Sequence, residues 1–518
     1  MCRCCHVSDC RASTRRRFLR TCAAGAALAG LGPLARAADE PKPPEGKVKV
    51  AVVFFSNSKG REIWPYPGYD CPKRHAEILK ALGDGVPGVE WVPVVVANPP
   101  DMAKALALKD QVDGYLVYCV TLSWGLTNSA AQLGKLRKPL LVADEFLGGC
   151  GNFLVGSAGM YRAKIPTTAV SSTRLEDLVA VARLFADVRK PGTTPESFAR
   201  QCEQAYRKTF GTCGEMKCTP DKVALTDVGK CIEQLKAGRF IILGAGKGGV
   251  ERDFLGVKGI YVGFDEFKTF YDKVEPEKAA QASRKWTAKA EKVFDCTPEA
   301  VTKAGGVFLT LLELMKKYGT NNVTANCLGG FASGHLPAYP CLGFMQILDE
   351  GGQGVCEAMP DDSVSMLMAR VLTGRPGFVS DPALDTSKNQ ICYAHCMAHT
   401  KAFGPAGEAN RFRIRTLHNL DPRGACAQSF LPEGYMTTSF RTNVGAKTMV
   451  IHQAKAVGNL DAPRGCRTQL VGEVRGDIGK LFCQWDHFGW HRVTVYGDVK
   501  EPLIELGKAM GLRIVEEA

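Results

Sequence analysis

The 518-residue sequence has no long hydrophobic run, no internal repeat and no low-complexity tract. Its N-terminal apolar stretch, Thr21–Leu34, has about 14 residues, whereas a membrane-spanning helix needs about 20. Hydrophobic residues make up 45% of the chain and charged residues 23%, which excludes a disordered or fibrous protein. The length corresponds to about three domains of roughly 150 residues each.

Closely spaced cysteine pairs of the kind that bind structural zinc are also missing. Sixteen of the 21 cysteines follow residue 37, and no two of them form a Cys-x2-Cys pair. Cys119, Cys327 and Cys392 lie in apolar strand-like runs, where we expect buried thiols. The best candidates for disulfides are four cysteines of one polar segment: Cys202, Cys213, Cys218 and Cys231.

The formal net charge of +13 does not indicate a nucleic-acid-binding protein, because much of it lies in the first 37 residues. Without them the charge falls by six, to +7. This segment resembles a twin-arginine export signal, with Arg15-Arg16-Arg17, the apolar stretch and an Ala35-Arg36-Ala37 cleavage site. We therefore expect a signal peptide over 1–37, a proline-containing linker over 38–46, and an exported, periplasmic protein without a stable membrane span. A basic amphipathic helix and an uncleaved anchor are the alternatives.

The rest of the chain predicts two α/β domains and a β-rich domain. From 47 to 170, short strands such as Val48–Ser56 and Gly114–Cys119 alternate with helical segments, a pattern typical of a parallel sheet covered on both faces. Residues 171–373 continue the alternation, and residues 374–518 change to β-branched runs separated by Gly and Pro. The pattern predicts two doubly wound α/β domains followed by an antiparallel β-rich C-terminal domain.

A glycine-rich segment, residues 244–249, follows the predicted strand Phe240–Leu243 and matches the Gly-x-Gly-x-x-Gly pattern of dinucleotide sites. Such a site needs a helix that opens at the third glycine, so that its N-terminus meets the pyrophosphate. The segment Val250–Asp253 predicts at best a short charged helix. We therefore expect a strand-to-loop turn that binds neither NAD nor NADP.

The last third of the chain carries a series of motifs: Val323–Cys327, Pro340-Cys341, Asp349–Gly351, Cys356–Met366, Leu372–Phe378, Ser380-Asp381 and Gly489–Asp498. In this order the series resembles the L-fucose/L-arabinose isomerase superfamily, and the predicted domain order matches over the mature chain. The resemblance implies one divalent metal, usually manganese, bound by Glu357, Asp381 and His491. It also implies that Glu357 and Asp381 transfer protons during the reaction. A homo-oligomer, a trimer or hexamer, is implied too, in which the first domain of one subunit covers the metal cleft of another.

These residue types suit such chemistry in their own right. Moving hydrogen between C1 and C2 of an open-chain sugar needs a metal that holds both oxygens and stabilises the enediolate, and a base beside C2. Two carboxylates and an imidazole suit Mn²⁺ or another divalent metal. Glu357 and Asp361 are four residues apart where a helix begins, so we expect both to face one site. We expect Asp361, His395 and Trp485 to contact a small sugar substrate, with Asp486 and His487 close by.

Simpler roles remain open for each residue. Glu357 and Asp361 could be ordinary charges at a helix N-terminus, and His491 an ordinary hydrogen-bonded histidine. His395 and His399 have helical i, i+4 spacing, but their setting favours a strand and a loop over a helical zinc pair. For the whole protein, the alternatives are a divalent-metal sugar lyase, dehydratase or epimerase, and an exported sugar-binding protein derived from an isomerase.

Overall fold

The computed structural model describes residues 46–57, 66–122, 129–417, 420–485 and 489–518, without the side chains of residues 150, 483 and 484. The predicted signal peptide, most of the predicted linker, Asp486 and His487 lie outside these residues. In the described part of the chain, no helix combines the length and the apolar character needed to cross a membrane.

A parallel five-stranded sheet forms the first layer. Its strands are β1 (Val48–Phe55), β2 (Val89–Val96), β3 (Gly114–Cys119), β4 (Leu140–Asp144) and β5 (Thr168–Ser171). They pair in the order β2-β1-β3-β4-β5, all in parallel, which confirms the predicted parallel sheet. Val50 and Val52 of β1 lie in one hydrophobic core and Ala51 and Val53 in another, so both faces of the sheet are covered.

The helices of the first layer extend further along the chain than the sequence predicts. They are α1 (Cys71–Gly85), α2 (Met102–Leu106), α3 (Ala131–Gly134), α4 (Cys150–Arg162), α5 (Leu175–Ala182) and α6 (Pro195–Arg207), with 3-10 turns at Pro99–Asp101 and Arg183–Asp187. Helix α6 begins at a capping box formed by Thr194 and Ser197. Leu178 of α5 and Phe198 of α6 lie in the same core as Val50. Residues of the helix that ends at Arg207 therefore pack in the core of the first layer.

A second α/β layer follows. Its strands are β6 (Arg239–Leu243), β7 (Glu251–Phe254), β8 (Val257–Val262), β10 (Asn322–Ala325) and β11 (Gln353–Cys356), in the order β11-β10-β6-β8-β7. All pairs are parallel except β7 with β8. Its helices are α7 (Val228–Ala237), α8 (Phe264–Tyr271), α9 (Pro276–Thr287), α10 (Pro298–Lys317), α11 (Cys327–Ala332), α12 (Cys341–Asp349) and α13 (Pro360–Thr373).

The glycine-rich segment after β6 leads into a strand. Gly244 and Gly246 both have φ of +72°, a conformation that glycine adopts without cost, and the edge strand β7 starts at Glu251. Strand β7 therefore takes the place of the short helix considered for Val250–Asp253. No helix opens within the glycine-rich segment itself, because residues 244–262 form only turns and strands.

The C-terminal domain is a closed antiparallel barrel. Its strands are β12 (Phe378–Asp385), β13 (Gln390–His395), β16 (Met436–Asn443), β17 (Thr448–Asn459), β18 (Thr468–Val474) and β19 (Arg492–Tyr496). The order β16-β19-β12-β13-β18-β17 closes through pairing of β16 with β17, and β20 (Arg513–Glu516) joins β17 in parallel.

A separate small sheet contains β9 (Val293–Phe294), β14 (Phe412–Arg415) and β15 (Cys426–Ser429). The helices are α14 (Gly479–Gln484) and α15 (Lys500–Ala509), with a 3-10 turn at Thr386–Lys388. The predicted antiparallel β-rich domain is thus confirmed.

The described cysteines form no disulfide, so the pairs considered among Cys202, Cys213, Cys218 and Cys231 are absent. Cys202 is buried in the core of the first layer and Cys231 in that of the second, which keeps these two thiols apart. The predicted burial of Cys119, Cys327 and Cys392 is confirmed.

Candidate metal centre

Four potential ligands meet where the second layer joins the barrel. Glu357 directly follows β11, Asp381 lies in β12, His395 ends β13 and His491 directly precedes β19. Strand β12 pairs with β13 on one side and β19 on the other, and the register with β19 brings Asp381 close to His491. The structure therefore brings together the three ligands that the resemblance implies and adds His395.

The carboxylate of Glu357 lies between the two imidazoles. Its Oε1 is 3.8 Å from Nε2 of His395, and its Oε2 is 3.7 Å from Nε2 of His491. Ligand atoms of these three residues all lie within 4.8 Å of one another. The spacings are too long for hydrogen bonds, but donors about 2.1 Å from a common ion lie about 3–4 Å apart. This buried Glu/His/His group could hold a metal ion.

Asp381 lies next to this group, with Oδ1 3.5 Å from Nε2 of His491. Burial raises the pKa of Asp381 to about 7; the charges of Glu357 and Asp362 act in the same direction and that of His491 opposes them. A carboxyl group with this pKa can hold or release a proton near neutral pH.

A buried carboxylate that the sequence analysis missed holds His491 in place. Asp362 is fully buried; its Oδ2 accepts a hydrogen bond from Nδ1 of His491 at 2.6 Å, and its Oδ1 accepts one from Nε of Arg441 at 2.5 Å. Burial alone would raise the pKa of Asp362, but the charges of Arg441 and His491 hold it well below its usual range. Metal-binding histidines commonly donate their second N–H to a carboxylate in this way.

The other ring nitrogen of His491, Nε2, is buried and has no hydrogen-bond partner among the described residues. Buried polar atoms rarely lack a bonding partner. We therefore expect this nitrogen to bind a ligand. It faces Glu357 and Asp381, two carboxylates. The ring of His491 therefore has the orientation that a cation bound between these three side chains would require.

The backbone at Glu357 adopts an unusual conformation. Glu357 and Ala358 have φ of +67° and +51°, and α13 begins only at Pro360. Residues other than glycine seldom adopt such values, and they concentrate at functional sites. The expectation that Glu357 and Asp361 share one helix face is therefore wrong, because Glu357 lies in a left-handed turn before the helix.

Two further predicted residues lie at the edge of the site. Asp361 has its Oδ2 3.7 Å from Arg441 and is not part of the Glu/His/His group. Trp485 is fully buried; its Nε1 donates to the carbonyl of Trp490 at 3.1 Å, and the guanidinium of Arg492 lies 3.7 Å from its ring centroid. Trp485 thus supports the segment that carries His491.

His399 lies beyond the end of β13, so His395 and His399 do not share a helix, as predicted. The His399 ring is fully buried, and burial lowers its pKa to about 4. His399 is therefore neutral at physiological pH and does not belong to the Glu/His/His group.

A helix of the first layer lies against the site within the same chain. A Cβ atom on Gly151, in α4, would lie 3.7 Å from Oδ1 of Asp381 and 3.2 Å from the ring of Trp490. Only a residue without a side chain leaves this space open. The first domain of the same chain therefore reaches the site, a position that the resemblance assigns to another subunit.

The backbone strain in the left-handed turn at Ala358 gives a first prediction. Ala358→Gly is expected to stabilise the protein by up to about 1 kcal/mol, because glycine adopts positive φ without strain. Ala280→Gly, at an ordinary position in α9, is the matched control and should destabilise by about 1 kcal/mol. Urea denaturation measures both changes, and equal losses in the two variants would contradict a strained turn.

Compared with models of known protein families and with curated protein sequences, the chain matches none of them.

Proposed function

We propose that the protein is a divalent-metal-dependent aldose–ketose isomerase that acts on a small sugar, with Mn²⁺ as its ion. Glu357, Asp381, His395 and His491 would hold the ion. The observation that carries the proposal is the buried Nε2 of His491, which faces two carboxylates while Nδ1 is committed to Asp362. A set of carboxylates and imidazoles suits Mn²⁺. The bound ion would supply positive charge that holds two neighbouring oxygens of the open-chain sugar.

The two carboxylates are the groups that move protons in this proposal. Asp381, whose Oδ1 lies 3.5 Å from Nε2 of His491, would take a proton from the substrate carbon and return it to the neighbouring carbon. Glu357, whose Oε2 lies 3.7 Å from the same nitrogen, would exchange the hydroxyl proton. Gly151 and Trp490 narrow the site on the side of Asp381 and so limit the access of water.

A panel of aldoses and ketoses incubated with the Mn²⁺-loaded protein tests this proposal. We expect interconversion of at least one aldose–ketose pair, and its loss in Asp381→Asn. A sugar-binding protein would bind sugars and leave them unchanged, and a lyase, dehydratase or epimerase would give a different product. Either result would reject the proposed isomerase activity.

The role of Asp362 gives a second prediction. Asp362→Asn is expected to weaken Mn²⁺ binding about 10–100-fold, because the carboxylate that orients His491 is lost. Asp361→Asn is the matched control, since Asp361 also lies near Arg441 but does not touch His491. Calorimetric titration with Mn²⁺ measures both, and equal affinities in the two variants would contradict the role of Asp362.

We further propose that the protein is exported by the twin-arginine route and assembles into a trimer or hexamer. The N-terminal motif and the resemblance support these two points. Light scattering combined with activity measurement tests the assembly. A monomer with full activity would reject a site shared between subunits and would fit closure by α4 of the same chain.

A further inference from the structure

A cavity of about 250 Å³ lies at the carboxyl ends of three strands of the first layer. Tyr118 of β3, Asp144 of β4 and Ser172, directly after β5, form part of its wall. Arg74 of α1 and Arg464, from the loop between β17 and β18, also line it. None of these residues has a role in the proposed reaction. Ligands of open α/β sheets commonly bind outside the carboxyl ends of the strands, so the cavity has the position of a ligand site.

A buried carboxylate, that of Glu145, holds the two arginines at the wall of the cavity. Its Oε2 accepts hydrogen bonds from Nε of Arg74 and from the hydroxyl of Tyr118, both at 2.8 Å. Its Oε1 accepts a hydrogen bond from Nη1 of Arg464 at 2.6 Å. Charge-assisted hydrogen bonds of this kind are short and strong, so they fix both guanidinium groups relative to the sheet.

Each guanidinium group keeps N–H donors that no described residue accepts. Arg74 uses Nε and Nη1, the latter to Glu77, and Arg464 uses Nη1 alone. Nη2 of Arg74 and both Nε and Nη2 of Arg464 therefore have no acceptor among the described residues. The two side chains are 25% and 26% exposed, so solvent reaches them. A ligand in the cavity therefore meets charged donors from two sides.

The wall of the cavity carries an excess of positive charge. Its two fixed arginines share one buried carboxylate, and the second partner of Arg74, Glu77, is 46% exposed and does not line the cavity. A third arginine of the wall, Arg174, is paired with Asp177. Burial raises the pKa of Asp144 well above its ordinary value, which favours the neutral form of this carboxyl group. The charge therefore favours an anion over a cation.

We propose that this cavity binds a small anion through a phosphate or carboxylate group held by the guanidinium groups of Arg74 and Arg464. Guanidinium groups form charge-assisted hydrogen bonds with both kinds of oxyanion. The volume lies below the range of about 300–1,000 Å³ that holds drug-sized ligands, so the ligand is small. The proposal does not depend on the metal centre or on isomerase activity.

A ligand in this cavity would join the first layer to the barrel. Arg464 lies between two barrel strands, and its Nη1 also donates to the carbonyl of Phe146 at 3.1 Å, in the loop that leads from β4 to α4. Arg74 belongs to the first layer. An anion bound by both arginines therefore adds a contact between the two parts of the fold. Because a ligand of the folded state stabilises it, we expect the anion to raise the midpoint of thermal unfolding.

Calorimetric titration of the full-length, metal-free protein with inorganic phosphate and, separately, with succinate tests the proposal. Removal of metal prevents either anion from binding to an ion at the proposed metal centre. We expect saturable binding of at least one of these anions at one site per chain, with a higher unfolding midpoint at constant ionic strength. Binding of phosphate alone would identify a phosphate ligand, and binding of succinate alone a carboxylate ligand. A lack of saturable binding for both anions would overturn the proposal.

Three single variants locate the binding. Arg74→Gln and Arg464→Gln should each weaken it about 10–100-fold, because each removes charge-assisted hydrogen bonds. In each variant the buried carboxylate keeps two of its three partners, so we expect both proteins to fold. Arg189→Gln is the matched control, because Arg189 pairs with Asp113 at 2.8 Å in the same layer but does not line the cavity. Equal affinities in all three variants would mean an adventitious ion only and would reject the site.

Discussion

His491→Ala is expected to weaken divalent metal binding by more than about 100-fold and to abolish the proposed isomerase activity. The change removes a buried ring nitrogen that has no hydrogen bond among the described residues and is directed at Glu357 and Asp381. Loss of a residue that only orients a ligand costs about 10–100-fold in metal affinity, so loss of the ligand itself should cost more. His335→Ala is the control, because His335 is exposed, stacks on Phe264 and does not belong to the Glu/His/His group. Equal Mn²⁺ affinity in the two variants would contradict the assignment.

The same residue makes metal binding depend on pH. Burial lowers the pKa of His491, but the charge of Asp362 and its hydrogen bond outweigh burial and raise the pKa to about 10. A cation must therefore displace a proton from His491, so binding releases protons and the affinity for Mn²⁺ rises as the pH approaches 10. Calorimetry in buffers of different ionisation enthalpy measures this release. An affinity that stays constant from neutral to alkaline pH would be inconsistent with it.

Glu517→Gln is expected to destabilise the protein by about 3–5 kcal/mol, because it leaves a buried charge without its partner. Glu517 is fully buried and accepts hydrogen bonds from Nε and Nη2 of Arg492, both at 2.8 Å. It also pairs with Nδ1 of His452 at 2.8 Å. Glu516→Gln is the matched control: Glu516 pairs with Lys500 at the surface, and its loss should cost at most about 1 kcal/mol. Similar denaturation midpoints for the two variants would contradict this prediction.

Glu517 also contributes a defined acid sensitivity. Burial alone would raise its pKa, but Arg492 and His452 lower it from 4.5 to about 2. A carboxyl whose folded pKa is lowered stabilises the fold above its unfolded pKa and loses this contribution as the pH falls towards the folded value. We therefore expect the wild type to lose about 3 kcal/mol of stability between pH 4.5 and 2, beyond what Glu517→Gln loses. Parallel pH profiles for the two proteins would rule this contribution out.

The sequence pattern predicts the layers of the fold but not where one layer ends and the next begins. Alternating strands and helices predict the parallel sheets, because parallel strands need crossover connections. An amphipathic helix such as Leu175–Ala182 does not reveal which sheet it covers, so the sequence pattern alone does not define where one layer ends and the next begins. Closure of the barrel depends on the pairing of β16 with β17, a tertiary contact that strand patterns do not specify.

For the candidate site, too, the sequence predicts some features and misses others. The motifs around Glu357, Asp381 and His491 predict three residues that the structure places close together. The i, i+4 spacing from Glu357 does not identify Asp362, because Glu357 lies in a left-handed turn and not in the helix. Pro360 shifts the start of the helix, so that Asp362 rather than Asp361 points at His491. The Pro-Asp-Asp sequence was the available signal.

The metal content of the purified protein decides whether Glu357 and His491 form a metal centre. The protein is dialysed against Mn²⁺ and then against metal-free buffer, and its metal is measured by inductively coupled plasma mass spectrometry. The account predicts one equivalent of Mn²⁺ per chain in the wild type and in His335→Ala, and none in Glu357→Gln or His491→Ala. A wild type that retains no divalent ion, or site variants that retain a full equivalent, would contradict a metal centre built on Glu357 and His491.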